Sequence, residues 1–195
     1  MTSEHRITEQ LVVHKPFSKE AKELLTPENG FWICTIEPKS LGQVLLQNAA
    51  CFGYVVPCER LSNLVLPTAF EVAIPIDSDG RARPIAESNN LLPSGQRTMI
   101  EEYDRVIGIP DVKVIIGHAS VIAQSVIKYQ QQQHRRVKLI DRFCACTPDE
   151  VGNDYRYACV TQYDTGQLCI GSWWADERNS RIRVLPVVVP VGLEI

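Results

Sequence analysis

Four strand-like segments fill the last third of the chain, and they leave the fewest alternatives for the fold. They are "KLIDRFCAC" (138 to 146), "YRYACVTQY" (155 to 163), "QLCIGSWW" (167 to 174) and "RIRVLPVVVP" (181 to 190). Each is rich in β-branched and aromatic residues, which fit a pleated, half-buried surface. The connections are short, so neighbouring segments read as antiparallel rather than as parallel strands joined by crossover helices. "DTG" at 164 to 166 is a hairpin loop with a glycine where positive φ is wanted. If that hairpin pairs Tyr163 with Gln167, Thr161 faces Cys169 and Cys159 faces Gly171. We therefore expect a four-strand antiparallel meander.

Upstream, "FWICTIE" (31 to 37) and "AFEVAIPI" (69 to 76) are further strands, and "DSDG" (77 to 80) is a turn leading into "RARPIA". Helices are legible from caps and periodicity. Ser18 can cap a short one through Leu25. "SLGQ" at 40 to 43 has the form of a capping box, and apolar residues behind it recur at helical spacing up to Phe52, before Gly53. Met99, Ile100, Tyr103, Val106 and Ile107 define a third helix, with Gly108 placed to end it. In the fourth, Ala119, Ile122, Ala123, Val126, Ile127 and Tyr129 form an apolar face, with Gln124, Ser125, Lys128 and Gln132 opposite. Only residues 94 to 140 alternate strand with helix, so an α+β fold is favoured over a doubly wound sheet. The expected fold is a single α+β domain over residues 1 to 195: an antiparallel sheet with the C-terminal four-strand meander and helices packed on one face.

The 195 residues are 45% hydrophobic and 22% charged, with a formal charge of -3 and a pI near 5.8. That acidic balance argues against nucleic-acid binding, which normally needs a basic surplus. The basic run "HRRVK" (134 to 138) and the arginines Arg142, Arg156, Arg181 and Arg183 beside Tyr155, Tyr157, Trp173 and Trp174 are the features that favour it. No apolar stretch approaches the roughly 20 residues that span a bilayer, and no secretory leader is legible at the start. Seven cysteines without a C-x-x-C pair read as reduced thiols of a cytosolic protein.

Candidate chemistry begins at "VKVIIGHASVIAQ" (112 to 124), a strand, a glycine and a helix start. Free N–H groups opening the helix could hold an anion, with Gly117 making the turn, Ser120 adding a hydroxyl and His118 a proton donor. One glycine is a weak motif, however, and the favoured reading is that Gly117 makes the turn and His118 or Ser120 caps the helix. Cys144, Cys146, Cys159 and Cys169 are expected on one face of the meander, with Cys144 opposite Tyr157 and Cys146 opposite Tyr155. Such a set is either core packing or a zinc arrangement, and flat sheet positions favour packing. Cys51, His118 and Asp141 have the order of a cysteine hydrolase, but a thiol late in a helix is poorly activated. Deaminase, zinc-protease, nucleotide-loop, kinase and hydrolase-elbow patterns are absent, so neither a cofactor nor a metal is expected.

The apolar ending "RVLPVVVPVGLEI" is costly to leave in water. Pro186 and Pro190 cannot donate to a ladder, which places this strand at an edge or outside the sheet. It either closes the chain's own core or docks on a second copy. The leading expectation is a non-catalytic cytosolic protein acting through protein contacts and self-association. Its candidate surface is Trp173, Trp174, Arg181, Arg183, Val187 and Val189. The alternative is a small-molecule enzyme or ligand-binding domain using Gly117, His118 and Ser120. A cleft beside that turn, with His118 against another titratable group, favours the alternative; an apolar patch over Val187 to Ile195 favours the first.

Overall fold

The computed structural model describes residues 14–133, 138–153 and 155–193. Its first elements are β1 (His14–Lys15), α1 (Lys19–Leu24), β2 (Phe31–Ile36), α2 (Leu41–Gln47), β3 (Phe52–Val55), α3 (Glu59–Asn63) and β4 (Ala69–Pro75). There follow α4 (Pro93–Val106), β5 (Val112–Ile116), α5 (Ala119–Gln132), β6 (Cys144–Val151), β7 (Arg156–Gln162), β8 (Leu168–Trp174), β9 (Ile182–Arg183) and β10 (Pro186–Pro190). Residues 134–137 of the basic run lie outside the described residues.

The fold is α+β with two mixed five-stranded sheets. In the first, β4 pairs with β2 on one edge and with β1 and β10 on the other, and β10 continues to β5. In the second, the order is β3, β8, β7, β6, β9. The purely antiparallel expectation is corrected, because β1 with β4, β3 with β8 and β6 with β9 run parallel. The meander is matched over three strands, β6 to β8. The "DTG" hairpin has the expected register, with Thr161 opposite Cys169, Cys159 opposite Gly171, and Gly166 at a φ of 81°. The fourth segment departs. It gives two residues to the second sheet as β9, crosses through buried Val184 and Leu185, and enters the first sheet as β10.

β10 is an inner strand, not an edge. Val188 faces Ala73 of β4, and the whole strand from Pro186 to Pro190 pairs with β5. The prolines stand at its two ends, so the N–H groups of Val187, Val188 and Val189 stay available to neighbours. Those three valines are at most 1% exposed. Alternation sends Val187 and Val189 to one core and Val188 to another. Val187 and Val189 therefore line no surface, and Val187 to Val189 close the chain's own core.

Helix α5 is the centre of the first core. It touches β2 of one sheet and β7 and β8 of the other. Every residue from Ala119 to Ile127 is buried, including Gln124 and Ser125, which helical spacing places on a polar face. Their polar atoms are satisfied internally. Gln124 accepts from the Glu37 N–H at 2.9 Å and donates to the Glu37 carbonyl at 3.1 Å, and Ser125 donates to the Val121 carbonyl. The second core lies on the opposite faces of the sheets, where Ala21 of α1, Leu25 just after it and Ile100 of α4 meet Ala73, Val114 and Val188. Helices thus flank both faces of the first sheet, correcting the expectation of one covered face.

Local chemistry sets the helix starts. Ser18 accepts from the Ala21 N–H, and Ser40 with Gln43 forms the capping box ahead of α2. The helix does not run on to Gly53. Asn48 donates its amide to the Val44 carbonyl, a 3-10 turn follows, and Phe52 opens β3 with its ring in the core. α3 is too short for periodicity to announce it. "RARPIA" contributes only the Ile76–Ala82 bridge. β6 starts later than its segment, after Arg142 at a φ of 64°.

Deleting residues 187–195 removes the strand between β4 and β5. The truncated chain is expected to be insoluble or to lose its cooperative melt, followed by circular dichroism. A soluble truncation with an unchanged melting temperature would contradict the inner placement of β10.

Candidate functional site

The turn between β5 and α5 is built as a strand, a glycine and a helix start. Gly117 is buried there, and a Cβ at this position would stand 2.8 Å from Val187 Cγ2, so only glycine lets the turn approach β10. His118 is the N-cap residue of α5 but makes no capping bond. The anion at this helix N-terminus is the protein's own. Asp149, from β6, accepts from the Ala119 N–H at 2.6 Å through Oδ2 and from His118 Nδ1 through Oδ1. Its side chain is 3% exposed and that of His118 20%. A carboxylate can only accept, so Nδ1 carries a proton and Nε2 is left facing away from the pair.

Asp149 reaches α5 because β6 bulges. Register slips between Cys146 and Glu150, where Pro148 offers no N–H to the ladder. Thr147 holds the bulge, donating to the Ala158 carbonyl at 2.9 Å and accepting from the Asp149 N–H at 3.3 Å. The partner of His118 is therefore Asp149, while Asp141 pairs with Lys138, Arg81 and Arg142. No hydroxyl or thiol is bonded to His118 Nε2 among the described residues, and the Ser120 hydroxyl is buried with no partner.

The bulge also forms one wall of a cleft of about 170 Å³. Thr147 and Glu150 line it from β6, Tyr157 and Trp173 from β7 and β8, and Pro93, Gln96 and Arg97 from the first turns of α4. The Tyr157 and Trp173 rings are 6.4 Å apart between centroids, tilted by 43°. Gln96 on the α4 side and Trp173 on the sheet side each keep a side-chain nitrogen, Nε2 and Nε1, buried with no hydrogen-bond partner. A wider groove along β2 has about 560 Å³, but several of its polar groups already have partners: Lys128 with Glu37, Glu71 with Lys22 and Gln132 with Trp32. No family model, curated protein or solved structure matches the chain. The site must be read from its own atoms.

Of the other sequence candidates, Trp173 and Trp174 are parted by strand alternation. Trp173 is 4% exposed in the cleft wall, while Trp174 is half-exposed with the Arg156 guanidinium 5.3 Å over its ring. Arg181 is exposed and Arg183 is half-buried on β9, its Nε without a partner. The four thiols do fall on one sheet face, but Cys146 faces Cys159, not Tyr155, because β6 continues through Val151 before turning. They lie along the sheet and do not converge. Among the described residues no group of three or more His, Cys, Asp or Glu is placed to hold a metal. Cys159 donates to Cys144, and with Thr161 and Arg181 this draws the Cys144 thiol down to about 7, whereas Cys159 is raised because its partner takes the charge. Burial pushes Cys34 and Cys146 up to about 12.

Gln96, Arg97, Thr147, Asp149 and Tyr157 escaped sequence reasoning. Only the Pro148 that interrupts a strand pattern signalled the bulge. Two outcomes follow. Asp149→Ala strands the Ala119 N–H and the His118 ring at a helix N-terminus, so it should lower unfolding free energy by about 2 to 4 kcal/mol in urea titrations. The thiolate is the nucleophile, so alkylation of Cys144 by iodoacetamide should rise with pH through about 7, while Cys34 and Cys146 stay unmodified at neutral pH, read by peptide mass spectrometry.

Proposed function

We propose that this chain is a small-molecule-binding protein whose site is the cleft between the start of α4 and the outer face of β6 to β8. The observation that carries this reading is the open cleft itself, with the Tyr157 and Trp173 rings on its sheet side and Gln96 and Arg97 on its α4 side. Aromatic rings with a few polar groups are the ordinary lining of a small-molecule site. A space near 170 Å³ suits a ligand of benzene-like size, since an engineered cavity of about 150 Å³ binds benzene.

Ile116, next to the β5–α5 turn, lines the cleft, but Gly117, His118 and Ser120 do not, so this ligand site is a different one from the turn itself. Self-association loses its main support, because Val187 to Val189 are buried within the chain. A role for His118 in chemistry on the ligand is not part of the proposal, since no nucleophile accompanies its ring.

Three tryptophans give three indole N–H resonances, and Trp173→Phe assigns the one that matters. A screen of small planar fragments by nitrogen–proton correlation spectra should shift the Trp173 indole signal. It should leave that of Trp32, already bonded to Gln132, in place. A library that moves no Trp173 signal at millimolar concentrations would overturn the reading.

A further inference from the structure

We infer that Cys144 and Cys159 form a dithiol that a hydroperoxide oxidises to an intrachain disulfide, with Cys144 the attacking thiol and Cys159 the resolving one. The site is separate from the cleft, whose lining includes neither thiol.

Strand pairing brings the two together. Cys146 of β6 stands directly opposite Cys159 of β7, so Cys144, two residues back on the same face, is the diagonal neighbour of Cys159. The Cys159 thiol donates to the Cys144 sulfur, so the two sulfurs are already neighbours. On its other side Cys159 meets Gly171 of β8, which sets no side chain against it. Diagonal neighbours stand about 7 to 8 Å apart between Cα atoms, and a disulfide spans up to about 6.8 Å, so closure asks for an approach of roughly 1 Å. The start of β6 can supply it. Cys144 is the first residue of that strand, and β9 on its outer side pairs with it over Cys144 and Ala145 alone.

The two thiols are unlike, and that sets their roles. Cys144 is half-buried, and the Cys159 S–H and the Arg181 guanidinium both favour its thiolate. Cys159 is 7% exposed and raised, first because Cys144 takes the charge and then by burial. It is held as a protonated thiol behind its partner. The Cys144 thiolate takes one peroxide oxygen as the O–O bond breaks, which gives a sulfenic acid, and the other oxygen leaves as hydroxide or alkoxide and is protonated. With its charge gone, Cys144 no longer opposes ionisation of Cys159. The Cys159 sulfur then attacks the Cys144 sulfur. The S–S bond forms, the S–OH bond breaks, and hydroxide leaves with the Cys159 proton as water. The pair loses two electrons and the peroxide gains them. Cys146 is closed to the first step, because burial pushes its thiol up to about 12.

The reduced full chain, treated with equimolar hydrogen peroxide at neutral pH, tests this by non-reducing peptide mass spectrometry. A link between the peptides of Cys144 and Cys159 is expected, lost on adding dithiothreitol and retained in Cys146→Ser and Cys169→Ser. In Cys159→Ser the link should vanish and a dimedone adduct should accumulate on Cys144, whereas in Cys144→Ser neither should form. Serine keeps a donor to Cys144 and alanine does not. Cys159→Ala should therefore slow the first oxidation of Cys144 roughly fivefold or more relative to Cys159→Ser, a difference that a packing role would not produce. Circular dichroism establishes that each variant is folded before oxidation. Free thiols at both positions in the peroxide-treated wild-type chain would overturn the inference. So would a link that survives in Cys144→Ser or disappears in folded Cys146→Ser.

Discussion

Helix α5 is buried on all sides from Ala119 to Ile127, and that single constraint organises the molecule. A helix enclosed by two sheets cannot send its polar groups to water, so each must be answered by another element. Gln124 answers the end of β2 through both backbone atoms of Glu37. The start of the helix is answered by Asp149, which obliges β6 to bulge. The bulge then brings Thr147 and Glu150 to the cleft. The candidate site is in this sense a by-product of enclosing one helix.

Sequence patterns carried the local structure well. Caps at Ser18 and Ser40, the glycine of "DTG" and the period of α4 are short-range signals, and each element forms where its signal lies. What the patterns could not carry was pairing between distant segments. Parallel contacts such as β3 with β8 have no turn to advertise them. Gln124 and Ser125 look like a solvent face because spacing reports polarity, not the partners that neutralise it. Pro186 and Pro190 suggested an edge, yet at strand ends a missing N–H costs little, and the valines between them fill the sheet.

The site was half legible. Gly117 and His118 mark a turn where an anion sits, but the anion is a side chain from β6, and nothing near residue 149 announces a contact with residue 118. The cleft itself is assembled from α4, β6, β7 and β8, each contributing residues that look ordinary in isolation. Trp173 stood out for its bulk, while its place in the cleft lining is a property of the fold alone.

The inner position of β10 also bears on how the chain is made. β4 and β5 leave the ribosome well before β10 does, and β10 is the strand that lies between them. Until it is synthesised, β5 has an open hydrogen-bonding edge and much of the β4 edge is bare, with the valine-lined core unclosed. Pairings across such sequence distances slow folding and expose aggregation-prone edges in the meantime. The first sheet thus closes only once a strand made after β6 to β9 returns to lie between two strands made before them.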